Sequence, residues 1–492
     1  MSLAGGLLIA PKGRPASAST PGDTIRKRLC LLSAGLLASV LTPPVLATPA
    51  TAAVAKYADD FNGDGHRDLA FGDRTATVSG KKQAGAVVVV WGSAHGPDPA
   101  KRSLITQNSP GIAGGSETND FFGAKVTAAD MNKDGYGDLV VTAPGEDVGA
   151  YHGTFTILWG SRAGLTEGTS FKSPACKDCG FAKDVAVGDF TADGRQDVVS
   201  ITDDYVYVVR GPFTRSGSRG TATNLDPVDG EDIKPDLVVS GKVTKDGTAD
   251  FAVLGYDSDT WTNRAWFYRG GSGGPAKPAR KVRVPGDSGL VGASATIADF
   301  DKDGYGDLAV GTARAGKGGS VSVFKGTSQG PATSATTFTQ ATAGVPGTPE
   351  WVDYFGYDVS AADTNGDGYP DLAVGIPGEV IGGNLFRAGA VTVLRGGRGG
   401  LTSTGSRQYD TATPGVAGDP AEEDDAWLGS SVLLRDFDHD GRAELVATAN
   451  EIGRLHLLPG TSSGPTGAGS VLLTTESLGL GSRSYFGAAL TD

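Results

Sequence analysis

The chain has 492 residues, with 56 Asp and Glu against 43 Lys and Arg, a formal charge of −13, and 76 glycines. Beyond the first fifty residues no basic tract appears, which argues against a nucleic-acid partner. No heptad or long helical period is present either, which excludes coiled coils and helical bundles.

The first fifty residues stand apart from the rest. Arg26, Lys27 and Arg28 precede the apolar run LCLLSAGLLASVLTPPVLA, and small residues follow from Ala47 to Ala55. A basic flank, an apolar core and an Ala-rich exit describe a secretory signal. Residues 1–55 are therefore expected to be a cleaved leader, with the signal near residues 24–53 and export as its consequence. The residues before Thr24 make a long leader and leave the true start codon open. A membrane anchor is the alternative. Pro43, Pro44 and the shortness of the run argue against a stable span, which needs about 20 apolar residues. Cys30 precedes the apolar core and is poorly placed for lipid modification. Residues 1–50 carry a net charge of +4, so the mature chain is expected near −17.

A nine-residue acidic pattern then recurs along the chain, six times intact and once worn, the seven copies starting 53 to 73 residues apart. The intact copies are DFNGDGHRD, DMNKDGYGD, DFTADGRQD, DFDKDGYGD, DTNGDGYPD and DFDHDGRAE. Positions 1, 3, 5 and 9 offer side-chain oxygens and position 7 a backbone carbonyl, as a hard cation with six to eight oxygen ligands at roughly 2.3–2.6 Å requires. The expected ligand sets are Asp60, Asn62, Asp64, Asp68 with His66; Asp130, Asn132, Asp134, Asp138 with Tyr136; and Asp189, Thr191, Asp193, Asp197 with Arg195. The others are Asp299, Asp301, Asp303, Asp307 with Tyr305; Asp363, Asn365, Asp367, Asp371 with Tyr369; and Asp436, Asp438, Asp440, Glu444 with Arg442. About six Ca2+ sites are expected. Thr191 is expected to weaken its site. A seventh, worn copy, KVTKDGTAD, begins at Lys242, whose ammonium is expected to lie where the cation would be.

An EF-hand would carry Glu at position 12 and flanking helices. Position 12 here holds Phe71, Val141, Ser200, Val310, Val374 and Ala447, inside apolar runs that read as buried strands. The alternative, that these are ion-free Asx-turns, packs three or four carboxylates together without a counter-ion.

Each repeat has the same parts: a small-residue strand into the loop, an apolar strand out of it, a third strand such as GAVVVVWGS or GTFTILWGS, and a weaker fourth. Four antiparallel strands, seven times, predict an all-β, seven-bladed propeller over residues 57–492. The chain ends on SYFGAALTD, a first strand with no loop after it, while the loop at Asp60 has no such strand before it. A ring closed by the C-terminal strand explains both.

Phe122-Gly123, Phe355-Gly356 and Phe486-Gly487, the acidic loops, and the Ala143–Gly145 and Ile376–Gly378 turns resemble the FG-GAP repeat. That repeat builds the integrin α-subunit propeller and occurs in many bacterial secreted proteins. The resemblance spans the expected mature chain. It implies calcium in loops on one face of a disc and partner contacts on the other. Six intact loops and the lack of leg domains depart from the integrin pattern, so integrin-style heterodimerisation does not carry over.

On the opposite face, Trp351, Tyr354, Trp427, Tyr151 and Arg387 are candidate contact residues. For Phe122, Tyr354 and Trp427, packing between blades is the preferred reading, while Trp351 and Tyr151 are less committed to it. The five histidines are scattered and no catalytic motif is present, so no catalytic residue is assigned and the chain is expected not to be an enzyme. The leading expectation is a secreted, monomeric interaction or adhesion module without a membrane span, binding an extracellular protein or a cell-wall polysaccharide. A lectin-like propeller is the alternative, and a hydrolase or lyase with an axial-channel site a third. Cys176 and Cys179 are read as a small disulfide rather than a redox or zinc half-site.

Overall fold

The computed structural model describes residues 54–174, 179–225, 233–286, 293–419 and 424–478, together with 480, 486, 487 and 489–491. The leader expected over residues 1–55 lies, but for its last two residues, outside the described residues. Over the described residues the chain forms seven four-stranded antiparallel sheets, with one 3-10 turn at Asn450–Ile452.

Blade 2 shows why the sequence folds this way. Its strands are β4 (Val126–Ala129), β5 (Asp138–Val148), β6 (Tyr151–Trp159) and β7 (Glu167–Lys172). The acidic loop joins β4 to β5, and the register runs Val140↔Ile157 and then Thr156↔Ser170. From Gly153 to Trp159 every residue of β6 is buried, because a neighbouring blade covers each side of the sheet. Such strands read as continuous apolar runs instead of alternating ones. The outer strand β7 keeps only Phe171 buried and carries polar residues to solvent.

The cores lie between blades. Phe61, Val87 and Val89 of blade 1 pack with Phe122, Leu139 and Leu158 of blade 2. Val199 and Val206 of blade 3 pack with Val253 and Trp266 of blade 4. A single sheet could not bury both its faces, so stacking supplies the stability. The Phe-Gly motif serves this junction: Phe122 is fully buried, and a Cβ on Gly72 of blade 1 would stand 1.9 Å from the Gly123 carbonyl.

The ring closes as the sequence indicates. β28 (Ala489–Leu490) joins β1 (Leu69–Asp73) antiparallel, pairing Leu490 with Phe71. Thr491 donates to the Ala70 carbonyl through its amide (3.1 Å) and its hydroxyl (2.8 Å). Leu69 and Val88 of blade 1 share a core with Leu433, Val446 and Leu455 of blade 7. The innermost strands of all seven blades line an axial channel of about 600 Å³.

Candidate metal centres

The acidic loops join the first and second strands of their blades, so they lie on one face of the ring. In blade 2, Asp130 accepts the Asp134 and Gly135 amides, each at 3.2 Å. Asn132 accepts the Asp134 amide at 2.9 Å, and Asp134 accepts the Tyr136 amide at 3.1 Å. These bonds wind the chain so that its acidic side chains share the inside of one turn. Blades 1 and 5 repeat the pattern, as at Asp60, which accepts Asp64 (3.1 Å) and Gly65 (2.9 Å), while in blade 6 Asp363 accepts Asn365, Gly366 and Gly368 and the Asp367 amide goes to Asn365 alone.

Position nine does more than offer an oxygen. Asp138 accepts the Met131 amide on one oxygen and the Gly160 amide on the other, both at 2.8 Å. Met131 lies inside the loop and Gly160 just beyond the third strand, so the carboxylate pins the loop to the sheet. The same two bonds recur at Asp68, Asp197, Asp307, Asp371 and Glu444. Asp250 of the worn loop makes an equivalent pair, with Thr244, one residue further into its loop (2.8 Å), and Gly270 (3.0 Å). The glycine is obligatory: a Cβ on Gly160 would stand 2.0 Å from the Gly137 carbonyl. Burial pushes Asp68, Asp138 and Glu444 up to about 7 and Asp307 up to about 6. A cation beside them would favour the ionised forms.

Two loops bring their acids closest. Carboxylate oxygens of Asp299, Asp301 and Asp303 in blade 5, and of Asp436, Asp438 and Glu444 in blade 7, lie within 4.8 Å of one another. Asp436 Oδ1 is buried with no hydrogen-bond partner among the described residues. An all-oxygen, multiply anionic donor set suits a hard divalent cation.

The residue preceding the locking glycine divides the loops. In blade 5 Lys325 Nζ reaches Asp301 at 2.5 Å and Asp303 at 3.6 Å. In blade 6 Arg395 reaches Asp371 at 3.0 Å. In blade 4 Arg269 reaches Asp246 at 2.9 Å, so the cation compensating the worn loop is Arg269, whereas Lys242 is exposed. Blades 1, 2 and 7 carry Trp91, Trp159 and Pro459 at this place. Arg215 approaches the blade 2 loop from blade 3, at 3.1 Å from Asp134. At the seam of the ring, His439 of blade 7 stacks on Tyr57 at 4.4 Å, and its Nε2 lies 3.2 Å from the Gly65 carbonyl.

On the opposite face, Phe355 and Phe486 are fully buried, as Phe122 is. Tyr354 and Trp427 are half-buried and stack across blades 6 and 7 with ring centres 6.0 Å apart. Arg387 lies 5.6 Å from the centre of the Trp427 ring and pairs with Asp425 at 2.9 Å. Trp351 is 73% exposed and Phe386 64%. Tyr151 is half-buried beneath the Lys172 ammonium. Phe386 escaped the sequence reading, although an aromatic residue inside the Gly-rich loop IGGNLFRAG was a usable signal. Cys179 is disulfide-bonded, while Cys176 lies outside the described residues.

The fold and its repeated loops define a class: a closed seven-bladed propeller with acidic loops on one face. A model of the FG-GAP repeat matches residues 122–158, 291–324 and 355–394. Integrin alpha-5 of Xenopus laevis is 29% identical over 221 residues, covering 40% of this chain and 20% of the integrin chain. Phosphatidylinositol-glycan-specific phospholipase D of Mus musculus is 31% identical over 164 residues, covering 32% of this chain and 18% of that protein. Its Bos taurus counterpart is 33% identical over 205 residues, covering 40% and 23%. The chain is a seven-bladed propeller that carries FG-GAP repeats and is similar to integrin alpha chains over part of its length.

The phospholipase matches correct the expectation that the chain is not an enzyme, since several curated relatives are enzymes, at about 30% identity over part of their length. A scattered set of histidines was the wrong ground for it. The matches include phospholipases and integrins alike, so the repeat alone does not sort them. Among the described residues, no helix is long and apolar enough to cross a membrane.

Proposed function

We propose that the chain is a secreted propeller whose acidic loops hold calcium and whose opposite face engages an extracellular protein or a polysaccharide. The observation that carries this reading is the convergence of acids in the loops, with Asp299, Asp301 and Asp303 in one blade and Asp436, Asp438 and Glu444 in another. All six sets would serve: those beginning at Asp60, Asp130, Asp189, Asp299, Asp363 and Asp436. Calcium would neutralise carboxylates that burial otherwise disfavours, and would stiffen the loop that ties each first strand to its second. The rigid ring then presents Trp351, Phe386 and the Tyr354–Trp427 stack as anchors for a partner. The test is a pull-down and glycan-array screen of the intact chain, with and without calcium, against Trp351→Ala and Phe386→Ala variants. Calcium-dependent binding lost in both variants supports the reading, and binding indifferent to both overturns it.

A second reading rests on the phospholipase D matches. The propeller would act with a catalytic centre directed at a phosphatidylinositol-glycan, positioning that substrate by the same exposed aromatics. Release of a glycan-anchored protein from vesicles, by the chain alone or with a supplied catalytic domain, tests it.

A further inference from the structure

Two junctions of the ring carry the same buried polar pocket, 233 residues apart, on the face opposite the acidic loops. At the boundary of blades 1 and 2, Gln107 donates its amide to Glu146, and Asp120 accepts the Glu117 amide at 2.5 Å. At the boundary of blades 5 and 6, Gln340 donates to Glu379 at 2.6 Å, and Asp353 accepts the Glu350 amide at 2.5 Å. The backbone matches as well: Gly145 donates to the Asp120 carbonyl (3.2 Å) and Gly378 to the Asp353 carbonyl (3.0 Å). Glycines cover both carboxamides, since a Cβ on Gly114 would lie 3.3 Å from Gln107 Nε2 and one on Gly347 2.4 Å from Gln340 Nε2.

The pockets hold more acceptors than donors. Gln107, Asp120, Gln340 and Asp353 are 1–4% exposed, and Glu146 and Glu379 are 8% and 9% exposed. Gln107 Oε1, Gln340 Oε1 and Asp353 Oδ1 are buried and have no hydrogen-bond partner among the described residues. Each carboxamide spends a donor on the glutamate, which in blade 6 also accepts from Gln408, and its own oxygen stays buried and free beside two carboxyl groups. Glu146 is an electrostatic neighbour of Asp120, and Asp353 of Glu379, while the nearby cations are Lys81 and Lys317. Burial pushes Glu146 of one pocket and Asp353 of the other up to about 7 and raises their partners Asp120 and Glu379, so each pair is relieved by a counter-ion. Water could donate to the free oxygens, but it neutralises no charge.

We propose that these two Gln–Asp–Glu pockets are a second class of hard-cation site, taking calcium at the boundaries of blades 1 and 2 and of blades 5 and 6. Two carboxylates and a carboxamide oxygen, completed by carbonyls and water, are a calcium donor set. A cation there would clamp the outer strand of one blade to the second strand of the next.

The test is a metal count and calcium titration of the intact chain at pH 7.5, comparing wild type with Glu146→Gln, Glu379→Gln and the double variant. Each single variant should lose one ion and the double variant two, with unchanged circular dichroism. If wild type binds only two ions and the double variant none, the acidic-loop reading fails while this one stands. An unchanged count in the folded double variant overturns it and leaves water-filled or protonated pockets. Should the double variant not fold, Asp353→Asn with terbium as the probe decides the matter. The share of terbium emission that Tyr354→Phe removes from the wild-type chain should already be missing in Asp353→Asn, and its persistence there overturns the proposal.

Discussion

Replacing Asp138 and Asp250 by alanine separates the structural role of position nine from its metal role. In Asp138→Ala the Met131 and Gly160 amides, both bonded at 2.8 Å to the missing carboxylate, become buried donors without partners. An orphaned buried donor costs about 1–3 kcal/mol, so the pair should cost about 2–6 kcal/mol. Asp250→Ala orphans Thr244 and Gly270 in the same way, in a blade whose loop begins with Lys242 and has no complete ligand set. If the lock is structural, Asp250→Ala loses a similar amount whether or not calcium is present. Asp134→Ala is the control, because its partly exposed carboxylate accepts from the Tyr136 amide, the Asn132 carboxamide and Arg215, partners that water can reach once it is gone, so in EDTA it should cost about 1 kcal/mol. The assay is urea denaturation of all three variants in EDTA and in millimolar calcium, read as stability from midpoint and slope. If Asp250→Ala in EDTA is no more damaging than Asp134→Ala, the lock is refuted.

The remaining predictions concern charge, pH and the seam. Lys325→Met should raise the calcium affinity of the blade 5 loop roughly fivefold by calorimetric titration, because an exposed competing pair is worth up to about 1 kcal/mol. Burial holds His456 down at about 4 against an ordinary 6.5. The unfolded chain therefore binds the extra proton between those values, and stability is full above pH 6.5 and lost as pH falls towards 4. That loss is about 3 kcal/mol, and it should shrink in His456→Leu when unfolding is followed from pH 7 to pH 4. Removing residues 486–492 should leave β1 as an open edge, and light scattering should report association of the truncated chain. Trp351→Ala should change stability by less than about 0.5 kcal/mol, since the residue is 73% exposed.

What the sequence showed, it showed through local spacing. The acidic loops put all their donors within nine residues, and the winding of Asp130 to Asp138 follows from that spacing alone. Closure was legible because Phe486-Gly487 repeats a motif whose following loop is missing. The locking glycines were not legible, because the bond from position nine reaches forward by anything from 14 to 25 residues, set by hairpin length. Arg269, Lys325 and Arg395 reach their acids through the strand register, so their pairing appears only once the blade is built. The Gln107–Glu146 and Gln340–Glu379 pairs each span 39 residues and two blades. Their equal spacing was visible in the sequence, yet nothing in a polar outer-strand residue indicates that a neighbouring blade will bury it. Tyr354 and Trp427 were rightly placed at a blade boundary, but they remain half-exposed and so can serve packing and contact together.

On the proposed reading the acidic loops hold calcium, and calcium holds the ring. The most direct test is thermal unfolding of residues 57–492, in EDTA and in millimolar calcium, with a metal count made on the Glu146→Gln/Glu379→Gln variant so that only the loops are counted. A large upward shift in Tm, by mass action on the folded state, and about six bound ions are expected. No shift and no bound ion would contradict that reading, leaving the acids as turn-formers in a ring held by packing and by the position-nine locks alone.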